Sequence, residues 1–146
     1  MDPYGMQIEW NTIEAIAKTR AIDLWYLFPL GVGVNRLLKT DGNIEKTQKD
    51  KLNRIFGAID WYDAFYKKTK EKRLFEDLET VNKVATFDSI AKYIIKRLKI
   101  VFPGVAENPR LLYNSRNNPL YLFCFAAANP KGSKVALKIA QHILKG

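Results

Sequence analysis

The chain has 146 residues, of which 47% are hydrophobic and 27% charged, and it carries one cysteine and one histidine. This is enough chain to bury a real core, and the composition is that of a globular domain rather than a disordered or repetitive one. One cysteine excludes an intrachain disulfide framework, no apolar run reaches the length of a membrane span, and 24 Lys plus Arg against 15 Asp plus Glu leave a net charge of +9.

The excess of positive charge suits a polyanionic partner such as nucleic acid, or equally a solvated basic surface. Cys124 lies inside the apolar run Leu120–Ala128, as a small core residue would. Residues 1–20 alternate polar and charged groups with apolar ones, so no secretory signal is visible and a cytoplasmic location is expected.

In chain order, Asp2-Pro3-Tyr4-Gly5 forms a turn signature, with Asp at i, Pro at i+1 and Gly at i+3. Asn11 with Glu14 has capping-box spacing, and Ile13, Ile16 and Ala17 then predict a helix to about Thr19 or Arg20. Leu24 to Phe28 is a continuous apolar run bounded by Pro29 and Gly31, which predicts a strand of parallel type buried on both faces. Gly31-Val32-Gly33 lacks the third glycine of a dinucleotide fingerprint and is a strand-end turn. Asn35 and Arg36 follow it, within reach of an anion or simply opening a short helix over Val34–Leu38.

The segment from about 40 to 85 is expected to be a helical insertion. Thr47 is placed to cap a helix with Leu52, Ile55 and Phe56 inward and Gly57 as its stop. Trp61 with Phe65, and Tyr62 with Tyr66, have i,i+4 spacing, and Leu74, Phe75, Leu78 and Val81 also fit a helix. The strongest helical pattern covers 86–102, with Asp88 as the cap and Ile90, Ile94 and Leu98 among its inward residues. A hairpin follows, Leu111–Ser115 and Leu120–Ala127. The last helix, Ser133–Lys145, is expected to turn Val135, Ile139, Ala140 and Ile143 inward, with His142 at the edge of that face.

A turn, a helix, a buried strand, a helical insertion, a long helix and a terminal hairpin make the tail of an α/β fold. Its sheet is small and mixed, with one parallel-type strand plus the hairpin, and the residues form one domain. Class I methyltransferase domains end in this order. The stretch from Asp2 to Leu38 and the ending from Pro119 to Leu144 resemble the three-Cys-motif partner proteins, bacterial and archaeal proteins with a methyltransferase-like Rossmann fold.

That resemblance implies that the chain is the C-terminal half of such a fold, with the strand that precedes Asp2 and the glycine-rich cofactor loop lying upstream of Met1. It implies S-adenosylmethionine as cofactor for full-length relatives, none for this chain by itself, and a three-Cys-motif protein as a possible partner. By motif position Asp2 would orient a substrate nitrogen and Tyr4 would stack on a planar substrate, with Pro3 and Gly5 at the pocket rim. Amino-methyltransferases carry two prolines there and this chain has one.

Two further expectations concern partners. Lys67, Lys68, Lys70, Lys72 and Arg73 place five basic residues in seven, directly after Trp61, Tyr62, Phe65 and Tyr66. Bases stacked on such rings beside a basic run would hold a single-stranded nucleic acid. A strand over 24–28 without its neighbour would leave an open edge prone to self-association. No metal site, catalytic triad or paired-carboxylate arrangement is evident.

Overall fold

One strand organises the larger sheet. The computed structural model describes residues 8–146, and in it β6 (Pro119–Ala127) lies between β1 (Asp23–Phe28) on one side and β4 (Gly104–Val105) with β5 (Arg110–Tyr113) on the other. All three pairings are antiparallel. The expected mixed sheet is corrected here: β1 has no parallel neighbour among the described residues.

β6 is apolar almost throughout because both of its faces are covered. Leu122, Cys124 and Ala126 meet the main core, which collects Ile13 of α1 (Trp10–Lys18), Phe56 of α3 (Lys46–Phe56) and Ile94 of α5 (Phe87–Val101). Phe125 and Ala127 point the other way and meet Ala140 and Leu144 of α6 (Ser133–Leu144). Helices therefore cover the sheet on both sides of its central strand.

β1 differs from the expectation of burial on both faces. Tyr26 and Phe28 are buried, whereas Trp25 and Leu27 alternate with them and are 40% and 46% exposed. Beyond Phe28 the chain makes a single π-turn (Leu30–Val34) and a short helix α2 (Asn35–Leu37). Gly31 is needed in that turn, since a Cβ there would stand 1.8 Å from the Pro119 carbonyl oxygen at the start of β6.

The insertion is only partly helical. After α3 and α4 (Trp61–Phe65) the chain forms a two-stranded antiparallel ribbon, β2 (Tyr66–Lys72) with β3 (Asp77–Lys83). The helix expected over 59–68 forms only as α4 and gives way to β2 at Tyr66, and the helix expected over 74–83 is corrected to the ribbon's turn and β3. Cross-strand contacts favour the ribbon: Thr69 and Thr80 are opposite and their hydroxyls are 2.6 Å apart, and Lys68 reaches Glu79 at 3.8 Å. The ends of the helices also move. The N-caps are Glu9, Glu45 and Thr86 rather than Asn11, Thr47 and Asp88. Thr86 and Ser89 form a reciprocal capping box, and Asp88 instead binds Lys92 one turn on at 3.0 Å.

Arg97 ties three helices together. Its guanidinium donates from Nε to the Phe56 carbonyl and from a terminal nitrogen to the Gly57 carbonyl, both at 2.8 Å, satisfying the carboxyl end of α3. It also lies 4.8 Å from the Trp10 ring centroid, over α1. Gly57 sits beneath at φ 66°, where a Cβ would stand 2.0 Å from Trp10 Cδ1. Arg97→Ala is expected to lower unfolding stability by about 2 kcal/mol in urea denaturation, because two charge-assisted bonds are lost. Gly57→Ala is expected to cost about 1–2 kcal/mol from the left-handed backbone alone, before its overlap with Trp10 is counted.

Candidate functional site

Among the described residues, those singled out in the sequence do not converge. Asp2, Pro3, Tyr4 and Gly5 lie outside the described residues. Lys67, Lys68, Lys70, Lys72 and Arg73 are exposed on β2 and its turn. The rings expected beside them do not stand free. Trp61, Phe65 and Tyr66 are buried in the core, and Tyr62 is half-buried, stacked on Tyr66 at 4.7 Å and donating its hydroxyl to the Gly42 carbonyl.

Register also divides the lysines. Lys70 and Lys72 stand opposite Glu79 and Asp77, so acidic side chains from β3 offset that face of the ribbon. At the ribbon's turn Leu74 and Phe75 are 90% and 94% exposed.

Other groups singled out in the sequence take structural places. Asn35 accepts a hydrogen bond from Lys83 Nζ at 2.7 Å, and desolvation lowers the pKa of that lysine. Arg36 and His142 are exposed. Cys124 is fully buried and burial pushes its thiol pKa well up, which is unfit for a nucleophile. Tyr26, cross-strand from Cys124, is raised by burial as well, and its hydroxyl has no hydrogen-bond partner among the described residues. No group of three or more His, Cys, Asp or Glu among the described residues is placed to hold a metal ion, and no helix among them is long and apolar enough to cross a membrane.

The feature that does converge is a surface. β1 pairs with β6 along one side, and among the described residues no strand pairs with the other. The backbone there is open to a further strand. Trp25 projects from this edge onto the α6 side of the sheet, stacked on Phe123 at 5.1 Å and lying 4.6 Å from the Phe125 ring. Leu27 and Ile22 are exposed nearby in sequence.

α6 contributes a second apolar strip. Of its residues expected inward only Ala140 is buried: Ala140 and Leu144 face the sheet with Ala136 and Leu137, while Val135, Ile139 and Ile143 are exposed. Ser133 and Leu137 sit over Gly104 of β4. The opposite flank of α6 therefore carries Val135, Ile139 and Ile143, at four-residue spacing, as an exposed apolar strip. The signal was in the sequence: the helix has too many apolar residues for one buried face.

Two measurements check this description. Trp10 and Trp61 are buried while Trp25 is not, so acrylamide should quench one component of the tryptophan emission, and Trp25→Phe should remove it. Tyr26→Phe is expected to leave stability unchanged or raise it by about 1 kcal/mol, because it removes a buried hydroxyl without a partner. A clear loss of stability in urea denaturation would contradict that placement.

No family model, no curated protein and no solved structure matches this chain.

Proposed function

We propose that this chain is the C-terminal half of a methyltransferase-like α/β domain of the three-Cys-motif partner type, and that it serves as the half on which the rest of the sheet assembles. The observation that carries this reading is the side of β1 that no strand pairs with among the described residues, with Trp25 and Leu27 exposed along it; Ile139 and Ile143 form a further exposed apolar strip on α6.

The strand directions support it. β1 and the β4–β5 segment both run antiparallel to β6 and hence parallel to each other. A parallel α/β sheet closed by one reversed strand ends in this way, as class I methyltransferase sheets do. The occupant that suits these surfaces is an α/β segment supplying a strand to β1 and a helix to the strip on α6. A strand alone would leave Ile139 and Ile143 in water, and an apolar helix alone would leave the β1 backbone unpaired. Covering Trp25, Leu27, Ile139 and Ile143, each roughly half exposed, contributes on the order of 1 kcal/mol per side chain.

In this reading the chain by itself is not a catalyst. The glycine-rich loop that would grip S-adenosylmethionine belongs to the other half, as does the strand leading into Asp2. A three-Cys-motif protein and a second copy of this chain are the competing occupants of the same edge. Nucleic-acid binding through Lys67, Lys68, Lys70, Lys72 and Arg73 is the weaker alternative, because Asp77 and Glu79 lie across from two of those lysines.

Hydrogen exchange on the isolated chain tests the assembly reading. Amides on the free side of β1 should exchange much faster than those of β6, and an apolar dye should bind the α6 side. Fusion to an upstream α/β segment should slow the first and remove the second. β1 amides as protected as β6 in a dye-free monomer would sink it. Calorimetric titration of S-adenosylmethionine into the isolated chain is expected to give no binding, and micromolar affinity would overturn the assignment of the cofactor to the other half.

A further inference from the structure

A second surface lies on the other side of the sheet, away from α6. A groove of about 660 Å³ runs along α5, bordered by two rows of its side chains. Phe87, Ala91 and Ile95, four residues apart, form an apolar wall. Leu111 of β5 and Leu122 of β6, which are cross-strand partners, continue it on the sheet. Lys92, Lys96 and Lys99 stand along the lip.

The groove is open for a local reason. The end of α5 is anchored where Phe102 leads into β4, and Phe102 and Leu98 are buried. Nearer the start of the helix the wall residue is Ala91, which is too small to close the gap to the sheet. Eight residue rises separate Phe87 from Ile95, giving an apolar trough about 12 Å long at ~1.5 Å per residue. The volume is within the range of roughly 300–1,000 Å³ usual for small-molecule sites.

Charge selects the occupant. Asp88 holds Lys92 at 3.0 Å and Glu107 pairs with Lys99. Lys96, between them, has no ion-pair partner among the described residues. The lip thus offers one unneutralised ammonium above an apolar trough. We propose that this groove binds a single-chain amphiphile with a monoanionic head, such as a medium-chain carboxylate. Its alkyl chain lies along Phe87, Ala91 and Ile95, and its head meets Lys96. Asp88 and Glu107 disfavour a polyanionic ligand, and the trough gives a small inorganic anion nothing to fill. The inference does not rest on the assembly reading, which concerns the opposite face of the sheet.

Isothermal titration calorimetry of the whole chain with sodium decanoate, kept below its micelle concentration, tests it. Decan-1-ol and inorganic phosphate are the comparison ligands. Decanoate should bind saturably at one site, decan-1-ol more weakly, and phosphate not at all. Lys96→Glu, on the exposed face of α5, should weaken decanoate by about tenfold or more, with thermal melting unchanged and decan-1-ol binding unaffected. Ala91→Leu should fill the trough and remove binding of both. Absence of saturable decanoate binding overturns the proposal. So does binding indifferent to Lys96→Glu, or phosphate binding as tight as decanoate. Lys96→Glu decides alone if Ala91→Leu fails to fold.

Discussion

The structure depends on β6 being buried on both faces. Alternate side chains of this one strand enter two separate cores: Leu122, Cys124 and Ala126 go into the layer of α1, α3 and α5, and Phe125 and Ala127 go under α6. Each layer has only this sheet to rest on. The three strands that flank β6 contact it rather than one another, so a change that displaced β6 would remove both cores together. Its composition follows from that position, with Ala126 packed into one core and Ala127 into the other.

The helical layer has its own keystone. α3 ends where α1 and α5 meet it, and the carbonyls freed at that end are taken by Arg97 rather than by water. The Trp10 ring lies against both the guanidinium and Gly57. A glycine is required there by backbone sign and by space at once. The ribbon β2–β3 hangs from this layer through Tyr66, whose hydroxyl donates to the Lys39 carbonyl and whose buried ring pairs with Tyr62. Beyond Tyr66 the β2 side chains are in solvent, which is where the basic run lies.

The two candidate surfaces differ in kind. The β1 edge with Trp25, like the outer flank of α6, is apolar, and its backbone has no further strand partner among the described residues, as suits a surface that joins other secondary structure. The α5 groove is narrow, apolar at its base and cationic at its lip, as suits a single small amphiphile. They lie on opposite faces because β6 separates the layers, so ligation at one does not obstruct assembly at the other.

Local patterns determined much of this chain in advance. The apolar stripes of α1, α3 and α5, the Gly57 stop, and the strands expected over 24–28 and 120–127 were legible, because each depends on neighbours within a turn or on a short continuous run. Strand direction was not, since an apolar run is the same whether its partner runs parallel or antiparallel, and only the pairing of β1 with β6 decides it. The ribbon at 66–83 was misread for a related reason. Leu74, Phe75, Leu78 and Val81 fit a helical repeat, while the contacts that make strands, such as Thr69 with Thr80, join residues eleven apart. The surface on α6 was hidden differently: its apolar arc is wider than the sheet beneath can cover. Sequence therefore determined which residues avoid water, and tertiary structure decided which of them succeed, because burial requires an opposing surface that the fold alone provides.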